Sequence, residues 1–232
     1  MNQTPALVSV IITVYNCARY LAEAIESVMR QTYKPVELIV IDDGSEDGSG
    51  GVAQRYLPSL RYVSHSHTGM GAARNHGVEL AQGAFLAFLD SDDLFPADRL
   101  ERQMAVFMRD PMLKAVFGHV REFLSPDLDE VFGKRLRSPV KRIPGRLPGA
   151  MLIKREAFLR VGLFNTTLKV GIGLDWSARA SEQKVRNVML PEIVLERRLH
   201  SDNNGLREKE WRNQYLQVLK AALDRRRAMR LE

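Results

Sequence analysis

Cysteine is almost absent from this chain. Of its 232 residues only Cys17 is a cysteine, so no intrachain disulfide can form, and a reducing compartment is indicated. No apolar run approaches the roughly 20 residues that a membrane-spanning helix needs. The first residues, MNQTPALVSV, lack the basic stretch and the small-residue cleavage site of a signal peptide. We therefore expect a cytoplasmic protein.

The charge is unbalanced, with a formal net charge of +6. The basic residues cluster in 133–146, 195–200 and 224–230. No aromatic residues interleave with them as in single-strand binders, so we predict no nucleic-acid partner. A solvated surface is the plainest interpretation of each cluster. For the basic tail, peripheral contact with the inner face of a membrane and packing in a homodimer both stay open.

Two phosphate-binding motifs are also missing. The segment after the first predicted strand, YNCARY, has no glycine, and GMGAAR has Arg74 where a third glycine would stand. No G-x-x-x-x-G-K-[ST] run occurs. Both absences argue against a dehydrogenase and a P-loop NTPase.

The chain does show a regular alternation of strand and helix patterns up to about residue 120. Apolar β-branched runs at 7–15, 36–42 and 84–90 predict buried strands, with helical periodicity between them. On two of these helices Met29 and Met108 are predicted to lie on the buried side. The pattern predicts an α/β fold with a mostly parallel central sheet flanked by helices.

The second half is less regular. We predict a long loop over about 124–148, then helices, two strands over 185–190 and 193–199, and a terminal helix in the tail. The expected organisation is one domain, 1–232, in two halves (1–120 and 121–205) followed by a C-terminal helix (206–232).

Polar residues follow three of the predicted strands. In an open parallel sheet, ligands bind beyond the carboxyl ends of the strands, so these residues predict a binding site. The run DDGSEDGSGGVAQ nearly matches a calcium loop, but Gln54 replaces the final glutamate, so a turn is the better interpretation. The strand-end residues are Thr13 and Tyr15, Asp42 and Asp43, and Asp90 and Asp92.

The D-x-D arrangement of Asp90 and Asp92 suits a hard divalent cation, Mg²⁺ or Mn²⁺. A solvated turn is the alternative. Asp93 is expected only to cap the turn that leads to Pro96.

Three ordered blocks resemble the family 2 glycosyltransferases, which have the A-type (GT-A) nucleotide-sugar fold. They are VSVIITVYNCARYLAEAIESVMRQTYKPVELIVIDDGSEDGS, GMGAARNHGVELAQGAFLAFLDSDDLFPADRL and AMLIKREAFLRVGLFNTTLKVGIGLDW. The resemblance covers about residues 7–200. It implies that 1–120 is a nucleotide-sugar-binding half and that 121–205 is an acceptor-side half.

The resemblance implies a metal-assisted, inverting transfer of a hexosyl or N-acetylhexosaminyl group, as in polysaccharide biosynthesis. The donor would be a nucleotide-diphosphate sugar, commonly UDP-linked, and the acceptor a hydroxyl of a glycan, lipid-linked glycan or protein. By position, the resemblance assigns Thr13 and Tyr15 to the nucleoside, and Asp42 and Asp43 to base and ribose. It assigns Arg74 to the donor, and Asp90 and Asp92 to donor and metal, with Asp92 as the direct metal ligand. Asp175 matches the position of the general base.

The acceptor-side block departs from the family pattern at Leu174, where the family usually has Glu. This puts the acceptor chemistry in doubt, and an N-cap is the structural alternative for Asp175. His200 is a further candidate, for the diphosphate or the metal, and Trp176 is a second one. A non-catalytic nucleotide-sugar-binding or scaffold protein remains the main alternative. A nucleotidyltransferase would need more basic residues near the first strand than Arg19.

Overall fold

The computed structural model describes residues 4–126, 142–201 and 212–228. The β-strands are β1 Val8–Val14, β2 Val36–Asp42, β3 Arg61–Ser64, β4 Phe85–Asp90, β5 Ala115–Leu124, β6 Arg142–Gly145, β7 Leu152–Lys154 and β8 Asn187–Leu199. The α-helices are α1 Ala18–Met29, α2 Ser49–Gln54, α3 Met70–Leu80, α4 Arg99–Arg109, α5 Arg155–Val161, α6 Ile172–Glu182 and α7 Arg212–Ala228. A 3₁₀ turn covers Pro148–Ala150.

These strands form a single mixed sheet in the order β3-β2-β1-β4-β7-β5-β6, with β8 paired to β5. The first four strands, β3, β2, β1 and β4, are parallel to one another, whereas β7 is antiparallel to both β4 and β5. Thr13 of β1 is in register with Asp90 of β4 and with Ile41 of β2. The carboxyl ends of β1, β2 and β4 therefore meet at one edge, as the sequence predicts.

Helices cover both faces of the sheet because successive strand residues point to opposite sides. Val10 and Ile12 of β1 pack on the face that α1 and α4 cover. Ile11 packs on the other face, with residues of α3, α5 and α6. The α/β fold class and the mostly parallel sheet of the sequence analysis are confirmed.

Helix α3 lies unusually close to β1. A Cβ atom built on Gly77 of this helix would come within 2.4 Å of Cγ2 of Ile11. A larger residue at position 77 would push the helix away from the strand, and Arg74 one turn earlier would move with it.

Several local predictions need correction. Met29 and Met108 are 40% and 80% exposed, because each lies at the edge of its helix's apolar stripe. The two strands predicted around 185–199 are one strand, β8, whose register against β5 shifts near His119. Within the predicted loop 124–148, residues 142–145 form β6 against β5, and 127–141 lie outside the described residues.

Arg99, at the start of α4, is a fully buried cation that joins the helix to the segment before β7. Its guanidinium donates to the carbonyl oxygens of Gly149 (2.6 Å) and Met151 (3.0 Å) and to the side chain of Gln103 (3.0 Å). The guanidinium also lies 3.6 Å from the ring centroid of Phe95. Burial lowers the pKa of Arg99 to about 9, so the side chain is charged at neutral pH.

Replacing Arg99 by Met should lower the free energy of unfolding by about 3 kcal/mol, because two buried carbonyl groups lose their donors. Urea denaturation followed by circular dichroism measures the change. The matched control is Arg102→Met, one turn later on the same helix, where an exposed ion pair with Asp98 is lost. That change should cost under about 0.5 kcal/mol. Equal effects of the two variants would contradict the role of Arg99.

Candidate active site

A cleft of about 400 Å³ lies at the carboxyl ends of β1, β2 and β4. Its other walls come from the segment before α6, from the start of α6, from the end of β8 and from α7. Most of the predicted site residues converge here. Those that line the cleft are Thr13, Tyr15, Asp43, Arg74, Asp90, Asp92 and His200.

One wall of the cleft is aromatic. The ring of Tyr15, half-exposed after β1, lies against the imidazole of His67 with centroids 4.1 Å apart. Nδ1 of His67 in turn lies 2.9 Å from Oδ2 of Asp43. A flat, partly exposed ring pair of this kind can receive a planar base. His67 was not among the predicted site residues.

Asp43 holds the loop that enters α3. Its Oδ1 accepts hydrogen bonds from the N–H (2.8 Å) and the hydroxyl (3.0 Å) of Thr68, and its Oδ2 accepts one from the N–H of Gly69 (2.9 Å). The carboxylate therefore fixes the cleft wall formed by His67 and Met70.

Asp42, its neighbour, does not line the cleft. It is buried, and it accepts hydrogen bonds from the hydroxyl of Tyr62 and the N–H of Ser45, both at 2.8 Å. The geometry gives Asp42 a role inside the turn and does not support the predicted contact with base or ribose.

The DDGSEDGS run is a turn, as the sequence analysis preferred over a calcium loop. Asp47 accepts hydrogen bonds from the N–H of Ala18 at the start of α1 and from both the N–H and hydroxyl of Ser49. Burial opposes ionisation of Asp47, but these donors hold its pKa below the usual value. The carboxylate thus sits at the amino terminus of α1, where a negative charge is stabilised.

An ion pair whose arginine is buried and whose aspartate is half-exposed lines the cleft. Arg74 of α3 is buried and contacts Asp90 at the end of β4. Its guanidinium also lies 5.8 Å from the ring centroid of Phe164. The adjacent Asn75 exchanges two 2.9 Å hydrogen bonds with the backbone of Phe164, which ties the segment after α5 to α3.

Asp92 and His200 lie together although 108 residues separate them in the chain. His200 Nε2 is 2.9 Å from Asp92 Oδ2, and its ring lies against Tyr20 with centroids 4.9 Å apart. The candidate role of His200 therefore has a geometric basis. In the described parts of the chain, no group of three or more His, Cys, Asp or Glu side chains is arranged to hold a metal ion.

The pair nevertheless fits a divalent cation. Two ligands on adjacent corners of an octahedral site with bonds of about 2.1 Å lie about 3.0 Å apart. The 2.9 Å between Asp92 Oδ2 and His200 Nε2 is compatible with that spacing, and it is equally the length of a hydrogen bond, which an ion bound by both atoms would replace. The protein can thus offer one oxygen and one nitrogen ligand on the same side of the cleft.

Asp93 does not lie in a solvated turn. It is buried and accepts a 2.9 Å hydrogen bond from the N–H of Arg198 in β8. Burial, reinforced by the charges of Asp92 and Asp90, raises the pKa of Asp93 well above its usual value. The expected cap toward Pro96 is replaced by a link between β4 and β8.

The basic cluster at 195–200 is not a solvated face. Arg198 is buried, and it contacts Glu23 (2.8 Å) and the carbonyl oxygen of Asp92 (3.0 Å). Arg197 lines the cleft and pairs with Glu122 at 3.3 Å. The polar residues at the end of a predicted strand could have indicated a place in the cleft. The sequence did not show, however, that β8 ends beside β1, β2 and β4.

Two predicted site residues, Asp175 and Trp176, are not among the residues that line the cleft. Asp175 is in the first turn of α6, which begins at Ile172, so it is not the N-cap. It is 6% exposed, does not line the cleft, and accepts a 3.0 Å hydrogen bond from Nε of Arg179. Trp176 is a core residue that stacks on Phe158, with centroids 5.1 Å apart, so it offers no contact to the cleft.

Two residues that the sequence analysis did not name complete this wall. Lys169, before α6, and Tyr215 of α7 both line the cleft. Helix α7 is held there because Gln214 accepts hydrogen bonds from the N–H groups of Lys169 (2.8 Å) and Val170 (3.2 Å). Lys169 lies within the third of the quoted blocks and Tyr215 lies outside all three, and only the tertiary packing shows that both reach the cleft.

The fold is shared with solved glycosyltransferase structures. Staphylococcus aureus TarS superposes with a TM-score of 0.66 at 18% identity, over 83% of this chain and 36% of TarS. TarS 1–349 in complex with UDP-GlcNAc superposes with a TM-score of 0.67 at 17% identity, over 84% of this chain and 59% of the other. The protein thus has the GT-A-like fold.

Sequence comparison identifies the family. The model of glycosyl transferase family 2 matches residues 9–162, so the chain belongs to that family. The uncharacterized glycosyltransferase RC0461 of Rickettsia conorii is 30% identical over 219 residues, which cover 88% of this chain and 36% of that protein. Chondroitin synthase of Escherichia coli is 35% identical over 114 residues, 48% of this chain and 17% of the synthase. The chain spans about a third of the length of the first Rickettsia relatives.

None of the described helices combines the length and the apolar character needed to cross a bilayer.

Cys17 lines the cleft, so the reactivity of its thiol can test how buried this part of the cleft is. Burial, opposed by a hydrogen bond with Ser91 and reinforced by the charge of Asp92, raises the pKa of Cys17 from 9.0 to about 11. Only the thiolate reacts with iodoacetamide. Because a rise of two pKa units lowers the thiolate fraction about 100-fold, native alkylation at pH 8 should be about 100-fold slower than in urea.

The alkylation rate of the native protein should then climb with pH up to about 11. Mass spectrometry of timed samples measures it, and since the chain has no other cysteine, the signal has one source. Equal rates at pH 8 in buffer and in urea would contradict the burial of this thiol.

Proposed function

We propose that this chain is an inverting, metal-assisted glycosyltransferase that uses a nucleotide-diphosphate sugar, with UDP as the nucleotide. The observation that carries the proposal is the convergence of Tyr15, Asp43, Arg74 and the Asp92–His200 pair on one cleft at the carboxyl ends of three strands. Membership of glycosyl transferase family 2 supports it. The UDP-GlcNAc complex of TarS, which has the same fold, supports a donor of that chemistry.

Different residues of the cleft would contact the base and the diphosphate of the donor. The Tyr15–His67 ring pair would receive the base, with Thr13 at the end of β1 beside it. Arg74, Arg197 and Lys169 line the same cleft and would attract the diphosphate.

Asp92 and His200 would hold the divalent cation, and diphosphate oxygens and water would complete its ligand shell. An imidazole ligand favours Mn²⁺ over Mg²⁺. When bound, such an ion offsets the negative charge that develops on the leaving diphosphate. Asp90, paired with Arg74, would orient the donor rather than bind the metal directly.

His200→Ala should abolish most of the gain in UDP affinity that Mn²⁺ provides, with a loss of about 10-fold or more, because one of two protein ligands is removed. Isothermal titration calorimetry with UDP, in Mn²⁺ and in EDTA, measures the gain. Asp92→Asn should behave in the same way. The control is Asp98→Asn. This half-exposed carboxylate also follows β4, and it forms an ion pair with Arg102. Unchanged Mn²⁺ dependence in His200→Ala would contradict the metal assignment.

Asp175 is proposed as the general base that takes the proton of the acceptor hydroxyl. Its helix begins at the cleft, where Ile172 and Gly173 form part of the lining. Arg179 holds one carboxylate oxygen, Oδ2, at 3.0 Å, which would fix the side chain while Oδ1 receives the proton. Transfer in one attack opposite the leaving diphosphate would invert the anomeric centre.

Asp175→Asn should lower the rate of UDP-sugar turnover about 10²- to 10⁴-fold while UDP binding stays within about twofold. Release of UDP from UDP-GlcNAc, with water or a glycan panel as acceptor, measures the rate. Asp224→Asn on α7 serves as control, because this carboxylate is exposed and pairs only loosely with Arg227, at 3.9 Å. Wild-type turnover in Asp175→Asn would exclude the base, and a lost thermal transition would indicate a structural residue.

A nucleotide-sugar-binding protein without transfer activity is the second candidate. Two observations favour it, the 39% exposed Leu174 in place of the usual acid and the burial of Asp175 against Arg179. It predicts UDP binding in calorimetry together with no UDP release above the uncatalysed rate for any acceptor. The same two assays therefore separate the candidates.

A further inference from the structure

Helix α7 is attached to the domain through one of its faces. Val218 and Ala222 are buried there, and Arg225 makes two contacts with Glu182 of α6, at 2.7 and 3.2 Å. These contacts fix which way the rest of the helix points.

A second apolar face of α7 is open. Leu216, Leu219 and Leu223 are 67%, 49% and 54% exposed. At 3.6 residues per turn, these three side chains fall within roughly 60° of arc, about a third of a turn away from the buried face. We call them the leucine stripe.

Cations border the leucine stripe on both sides. By helical position Arg226 lies along one edge, and Lys220 and Arg227 lie along the other. All three are exposed. In the part of α7 whose side chains are described, residues 213–228, Asp224 is the only acid. An apolar stripe between long basic side chains matches helices that lie in a bilayer interface, where leucines enter the acyl boundary and cations reach anionic headgroups.

We propose that α7 docks on an anionic lipid surface through the leucine stripe. Charge decides against a second copy of this chain as the occupant. Antiparallel pairing of two α7 helices across the leucine stripe would bring Lys220, which borders the middle of the stripe, close to Lys220 of the second copy, so like charges would meet. The net charge of +6 favours the anionic surface as well.

The docked helix also borders the cleft. Tyr215, next to the leucine stripe in sequence, lines the cleft. The lipid surface would therefore adjoin the acceptor side of the site. The inference concerns binding and does not depend on the proposed transfer activity.

Flotation with vesicles tests the docking. We expect the purified chain to bind vesicles of 30% phosphatidylglycerol in phosphatidylcholine, and not vesicles of phosphatidylcholine alone. Leu219→Ser/Leu223→Ser should weaken binding at least about 10-fold, because two leucines that would enter the acyl boundary are lost. The matched control, Leu57→Ser/Leu159→Ser, removes two leucines of similar exposure elsewhere, 50% and 44%, and should bind as the original chain does.

Arg226→Glu/Arg227→Glu should weaken binding by at least about 25-fold, and 0.5 M NaCl should largely release the original protein. Thermal unfolding of each variant confirms that it is folded. Equal binding to neutral and anionic vesicles, or undiminished binding of Leu219→Ser/Leu223→Ser, would overturn the proposal. A dimer in light scattering that Leu219→Ser/Leu223→Ser dissociates, without vesicle binding, would assign the stripe to a second copy instead.

Discussion

The site depends on one short join between the turn after β4 and strand β8. Leu94 and Glu196 exchange two backbone hydrogen bonds of 2.9 Å, and Asp93 accepts a third from Arg198. These bonds hold the turn after β4 against β8. Because His200 follows β8 directly, the join sets its distance from Asp92, and the cleft gains a wall from the distant end of the chain.

The acids around the cleft differ in how their charge is balanced. Asp90 contacts Arg74, Asp43 contacts His67, and Asp92 contacts His200. Asp93 also borders the cleft, but it is buried, and its raised pKa reflects that burial. Asp43, Asp90 and Asp92 thus meet basic groups that a charged ligand can rearrange, while Asp93 links the end of β4 to β8.

Local patterns predicted which strand ends meet at the cleft, but not the side of the cleft that later segments form. The periodicity of β1, β2 and β4 placed their polar ends at one edge, since adjacent parallel strands must end together. Strand alternation would also have separated Asp42 from Asp43, because neighbours point to opposite faces. By contrast, the contact of Asp92 with His200 and the burial of Arg99 depend on the packing of segments far apart in sequence, and no local pattern encodes them.

The boundary of the family match has a functional meaning. The match ends at residue 162, whereas Lys169, the start of α6, Arg197 and Tyr215 all lie beyond it and form the opposite wall of the cleft. The strand-end side of the cleft therefore lies within the family match, and the opposite side lies beyond it. Since α7 supplies part of that opposite side and also carries the leucine stripe, the proposed docking surface would adjoin the cleft.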